Sequence, residues 1–308
     1  MSDWIPTSLA RDIEVNYLQP MAHLLNRSLV VTSVKNASLF SDTATGLLNS
    51  DFDGAVTSTS FHSWLHAEHV CMGPLPFGLS KEEKAHWLLS SQGQELQNQF
   101  FGFLGLSPQV VGIGTDLFGA FSKSKIDSVQ SLRGHSRSRN SIAFSDARAA
   151  WFIRQGLSVQ KIAPFEQAAE LNRGTLHISE PLSPSGALGL IESHLRRDEN
   201  WTYNLFPKIR TAPTVFCLWR KTKWDQHSFG LEPERRALGR AGFERVSREW
   251  TTREEKALSD IASRNSVHEI PSQVVDLFKG EAQLLHQLLA QRSPFAHSLV
   301  QVHATAAT

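Results

Sequence analysis

The chain has 308 residues, with 31 Lys and Arg against 30 Asp and Glu, 41% hydrophobic residues and 20% charged residues. That balance is ordinary for a water-soluble globular protein. It leaves no basic excess for nucleic acid, and no apolar run reaches the roughly 20 residues of a membrane-spanning helix. The length accommodates two lobes or one large domain.

The opening "MSDWIPTSLARDIEVNYLQP" has no basic n-region, no apolar h-region and no small-residue cleavage site. If Met1 is the natural start, the expected location is cytoplasmic. If a secretory signal has been removed, it is periplasmic. Cys71 and Cys217 pair only if the fold brings them together, and two buried free thiols are the expectation.

In chain order, "SLVVTSV" (28–34) is a β-branched run and predicts a strand, "LFSDTATGLLN" predicts a short helix, and "DGAVTSTSF" predicts a second strand. "PLPFGL" is a rigid apolar turn. In "SKEEKAHWLL" after it, Ser80 and Glu83 have capping-box spacing. "PQVVGIG" (108–114) predicts a strand. "SDARAAWFIRQG" predicts a helix with Ser145 as N-cap and Gly156 at its left-handed exit. Strand "SVQKIAP", helix "FEQAAELNRG" and strand "TLHISEP" follow, a spacing that implies parallel pairing through crossovers. "REEKALSDIASRN" and "PSQVVDLFKGEAQLLHQLLAQR" carry apolar residues at helical spacing. The sum is an α/β protein, whose ligands belong beyond the carboxyl ends of its strands.

Dinucleotide loops, Walker loops, H-E-x-x-H and G-x-S-x-G are absent from the sequence. The residues able to carry chemistry cluster in three places. "FHSWLHAEHVC" gathers His62, Trp64, His66, Glu68, His69 and Cys71. A metal site is one reading of it; a pocket wall formed by His62 and Trp64 is the stronger. "LRGHSRSRN" gathers Arg133, His135, Arg137 and Arg139, and a guanidinium fork matches a carboxylate. Glu180 closes the apolar stretch "TLHISE" before Pro181, and Arg210 in "PKIRTAP" is a further candidate.

Taken in order, "PLPFGLSKEEKAHWLLSSQGQEL", "GFLGLSPQVVGIGTDLFGAF", "KIDSVQSLRG", "FEQAAELNRGTLHISEP", "LFPKIRTAP" and "KTKWD" resemble the substrate-binding proteins of TRAP transporters, over about residues 25 to 245. The likeness is nearest the branch that holds 2-oxo acids and related carboxylates. It implies a two-lobed periplasmic-binding-protein-like fold with a ligand cleft and a helical C-terminus. Residues 1–112 would form the first part of lobe I, 113–199 lobe II, 200–245 the return to lobe I, and 246–308 the C-terminal helices, packed across the lobes or dimerising. Departures are visible. The position of the family's ligand Arg falls on Ser138, flanked by Arg137 and Arg139, while His177 replaces an acidic residue and Pro181 a Trp. No cofactor is expected, and a cation at Glu180 is the one ion the resemblance leaves open.

The leading expectation is a TRAP-type solute-binding protein holding a small organic anion with His62, Trp64, Arg137, Arg139, Glu180 and Arg210, partnered by a TRAP membrane permease. The alternative is a cytoplasmic enzyme on the same scaffold. It would be an isomerase, cyclase or dehydratase of an oxo-acid or polyketide-like substrate, with His62 and Glu180 as its acid–base pair. A homodimer through the long helical end (252–293) and packing of that end on its own chain are equally consistent with the sequence.

Overall fold

The computed structural model describes residues 7–31, 53–58, 75–134, 139–143, 149–162, 164–193, 195, 200–209 and 211–305. Eight strands run through them: β1 (Gly54–Ser58), β2 (Leu106–Ile113), β3 (Gly119–Ser122), β4 (Ser141–Ala143), β5 (Ser158–Gln160), β6 (Thr202–Leu205), β7 (Thr214–Arg220) and β8 (Ser266–Glu269). Two compact units result. The first gathers Met1–Pro74, Leu79–Gly114 and Ala212–Thr251, and the second gathers Leu75–Gly78, Thr115–Thr211 and Thr252–Thr308.

In the first unit β7 is the central strand, antiparallel to β1 on one edge and to β2 on the other. Its sequence TVFCLWR is a nearly unbroken apolar run, and Thr214 to Leu218 are all buried. One face packs against the N-terminal helical segment, which contributes Leu9, Ile13, Tyr17 and Met21 to a core shared with Val111, Val215, Cys217 and Val246. A four-residue spacing drifts by about 40° per step on a 3.6-residue helix. The π-helical turn Glu14–Leu18 has a wider period and keeps this apolar face in line. β2 carries a bulge between Val110 and Gly112. A Cβ at Gly112 would sit 2.7 Å from Val246 Cγ1, so glycine lets the helix Glu232–Ala262 approach the strand.

In the second unit β6 lies between β3, antiparallel, and β8, parallel. β4 and β5 pair in parallel, whereas the strand–helix–strand spacing points to β5 and "TLHISEP"; Ile178 of that stretch instead bridges Ile142 of β4 in parallel. Ile178 joins the two groups, bridging Ser122 on one side and Ile142 on the other. Residues 200–211 stay with this unit because β6 is hydrogen-bonded to β3. Phe118, Ile142, Phe152, Ile178, Phe206 and Phe278 form one core. Phe121, Ala168, Leu176, Trp201, Tyr203 and Ile261 form a second.

The apolar turn serves this second core. Phe77 packs against it in a left-handed conformation, φ +53°, while its N–H donates to the Lys208 carbonyl at 2.8 Å. His286 Nε2 lies 2.9 Å from the Pro76 carbonyl. Ser80 then starts the helix Lys81–Leu89 with the expected capping box: the Ser80 N–H donates to Glu83 Oε2 at 2.8 Å, and the Glu83 N–H donates to Ser80 Oγ at 3.3 Å. Gly156 leaves its helix at φ +87°, as the sequence predicts, and Gly174, at the end of "FEQAAELNRG", does so at φ +77°.

Other expectations are corrected. Residues 28–31 are irregular, because Leu29 alone reaches the core while Val30 is 84% exposed. β-Branched residues without a buried face make no strand. Residues 32–34, the helix expected at 39–49 and Ser145 lie outside the described residues. "TLHISEP" is reduced to bridges at Ile178 and Leu182. Pro181 has no N–H to pair, and the Phe121 N–H donates to the Ser179 hydroxyl at 2.8 Å. The helix predicted around 253–265 begins at Glu232. No described helix is long and apolar enough to cross a membrane.

Two glycines test this packing. A Cβ at Gly119 would meet Tyr203 Cζ at 2.5 Å and the Asn204 carbonyl oxygen at 2.9 Å, whereas Gly280 faces open space on the helix Ser272–Ala290. In urea titrations Gly119→Ala should cost about 1–3 kcal/mol. Gly280→Ala should add about 0.5–1 kcal/mol.

Candidate functional site

Glu180 is the sequence-predicted site residue whose setting is best defined. It lies two residues beyond the Ile178 bridge and is 3% exposed. Its backbone N–H donates to Gln167 Oε1 at 3.0 Å, and Gln167 is itself fully buried. The neighbouring Ser179 hydroxyl accepts the Phe121 N–H and donates to the Glu180 carbonyl at 3.2 Å. The backbone on which Glu180 sits is thus held from a helix on one side and from β3 on the other.

A polar seam continues behind it. Asn204, fully buried on β6, accepts the Ile126 N–H at 2.7 Å and donates to Ser122 Oγ at 2.8 Å. Glu254, 2% exposed on the long helix, accepts the Ser185 N–H at 2.8 Å and the Ser185 hydroxyl at 2.6 Å. That carboxylate caps the helix Pro184–Ser193, where a negative charge favours the helix start. Sequence reasoning missed Gln167, Asn204 and Glu254. Their polar side chains sit in segments whose burial depends on distant partners.

Arg139 is exposed, two residues before β4. Arg139 precedes β4, while Glu180 lies two residues beyond Ile178, which bridges Ile142 of that strand in parallel. His177, which stands where the resembled family has an acidic residue, turns to the same strand. Its Nδ1 accepts the Ser141 N–H at 3.2 Å and lies 2.9 Å from Ser141 Oγ. It braces β4. His62, Trp64, Arg137 and Arg210 lie outside the described residues, as do His66, Glu68, His69 and Cys71. Cys217 is buried at the centre of β7, and burial pushes its thiol well up from the usual range.

The first unit holds a titratable group that sequence reasoning also missed. Lys84 is fully buried, its Nζ donates to the Ala212 carbonyl at 2.8 Å, and burial pushes its pKa down to about 7. An unfolded lysine titrates near 10.4. Between those values the unfolded chain binds more protons than the folded one, so Lys84 makes stability rise with pH and fall as pH drops from about 10 to 7. Lys84→Met should flatten that slope in denaturation midpoints measured from pH 7 to 10.

No family model matches the chain, and no curated protein matches it in sequence. Solved structures do. A TRAP transporter solute-binding protein from Bordetella bronchiseptica RB50, with copurified calcium and picolinate, superimposes with TM-score 0.73 at 15% identity over 99% of this chain and 91% of that one. A TRAP periplasmic solute-binding protein from Colwellia psychrerythraea, with bound calcium and pyruvate, gives TM-score 0.74 at 13% identity over 99% and 91%. One from Xanthobacter autotrophicus Py2, with bound β-D-galacturonate, gives 0.72 at 14% over 98% and 96%. The chain has the fold of the two-lobed periplasmic solute-binding proteins, as the sequence motifs imply.

Proposed function

We propose that this protein is a TRAP-type solute-binding protein that holds a small organic carboxylate, at a site that includes Glu180. The observation that carries this reading is the likeness along nearly the whole chain to proteins crystallised with picolinate, pyruvate and galacturonate. The setting of Glu180 supports it: a buried carboxylate on a doubly held backbone, past the carboxyl end of β4, where α/β folds place ligands. In this reading the protein works in the periplasm and delivers its solute to a TRAP membrane permease.

Two of the similar structures hold calcium together with the carboxylate. Among the described residues no three His, Cys, Asp or Glu side chains gather as a metal site, so we route no part of the binding through a cation. The acid–base alternative needs His62 beside Glu180, and no observation among the described residues favours it.

Thermal-shift titration with pyruvate, picolinate and galacturonate, followed by mass spectrometry of the recovered ligand, tests the proposal. At about 100 times Kd a bound acid stabilises by about 2.7 kcal/mol, a rise of several degrees. The acid should come back unchanged. Glu180→Gln should weaken binding at least about tenfold, the penalty for mispairing a buried charged group, and Arg139→Ala should leave it within about twofold, as for an exposed charge. A recovered isomer or dehydrated product would replace this reading with the enzyme one. The absence of any shift with carboxylates would end it.

A further inference from the structure

Five hydrogen bonds form a closed ring at places where the chain leaves or re-enters the first unit. Three of that unit's boundary residues are involved: the chain leaves it at Gly114 and Thr251 and re-enters it at Ala212. Lys84 Nζ donates to the Ala212 carbonyl at 2.8 Å. The next residue, Pro213, accepts the Gly114 N–H at 2.8 Å. Beside Gly114, the Ile113 N–H donates to Ser247 Oγ at 3.0 Å. The Ser247 carbonyl accepts the Thr251 hydroxyl at 2.8 Å, and Thr251 Oγ1 accepts from Lys81 Nζ at 2.6 Å. Lys81 and Lys84 lie three residues apart in the helix Lys81–Leu89, whose start is fixed by the Ser80–Glu83 capping box. Neighbours at that spacing share a helix face.

The ring is packed as well as bonded. A Cβ on Gly114 would meet Trp250 Cζ2 at 2.8 Å and Pro213 Cγ at 2.9 Å, so only glycine allows strand, proline segment and helix to meet there. Lys84 and Ala212 are fully buried and Ser247 is 9% exposed. Breaking one bond of such a ring leaves buried partners without hydrogen bonds, which costs more than the bond itself contributes. Neighbours in one network respond together.

We propose that this ring is a conformational device: it ties three of the boundary points of the first unit, at Gly114, Ala212 and Thr251, to a single helix, with Lys81 and Lys84 as its positioning residues, so that these three points move as one block. The proposal does not rest on which solute is bound, or on whether one is.

Hydrogen exchange with mass spectrometry on the full chain tests it, using the wild type, Lys84→Met, Lys81→Met, Thr251→Val and the Lys84→Met/Thr251→Val pair. Lys84→Met should speed exchange about tenfold at Gly114, Ala212 and Thr214 and also across the ring at residues 247–251, with β3 and β6 unchanged. Thr251→Val should reciprocally speed exchange at Ala212 and Thr214. The effect of the double variant should fall short of the sum of the two single effects. If each substitution acts only on its own partner and the effects add, the ring is five separate bonds and the proposal fails. Should Lys84→Met unfold the first unit, Lys81→Met and Thr251→Val, which alter part-exposed groups, decide the question by the same reciprocal readout.

Discussion

Strand β7 is the piece on which the first unit depends. Both of its edges are used, by β1 and by β2, and Thr214 to Leu218 are buried throughout. A strand covered on both faces loses the alternation that would announce it and becomes a continuous apolar run. The three strands come from residues 54–58, 106–113 and 214–220, so the sheet closes only after most of the chain has been committed. The ring of hydrogen bonds around Gly114, Ala212 and Thr251 lies at the amino end of this strand. It extends the same solution: segments far apart in sequence are fixed by being bonded to one another rather than by local propensity.

The second unit solves a different problem, carrying polar groups into its interior. Three of its buried polar residues are matched to backbone N–H groups. Asn204 takes the Ile126 N–H, Ser179 takes the Phe121 N–H, and Glu254 takes the Ser185 N–H. An unpaired buried N–H costs about 1–3 kcal/mol, so these side chains do the work that a longer strand or a local helix cap would otherwise do. The Ser179 and Gln167 contacts likewise hold the backbone of Glu180.

How much of this was legible in the sequence follows from the range of each interaction. The Ser80–Glu83 capping box and the left-handed exit at Gly156 are settled within four residues of chain, and both could be read directly. A parallel crossover was legible, but its partner was not: β5 pairs with β4, a three-residue strand too short to read, and not with "TLHISEP". The strand expected at 28–34 failed because propensity without a buried face is not enough, and Val30 has none. "KEEK" gave no hint of Lys84 as a buried group, since its burial depends on a carbonyl 128 residues away. Arg137 and Arg139 were inseparable on paper. Arg139 is an exposed residue two before β4, and no local signal in the sequence fixes its distance from Glu180.

The motifs that revealed the fold and the residues that would select a ligand therefore belong to different physical problems. Turns, caps and left-handed glycines constrain backbone geometry, and they remain readable at the 13–15% identity that separates this chain from proteins of the same fold. Ligand choice depends on which side chains stand at the carboxyl ends of the strands, and there the chain departs from the resembled pattern, with His177 turned onto Ser141 and Pro181 following Glu180. A histidine that hydrogen-bonds β4 is spent on holding the strand.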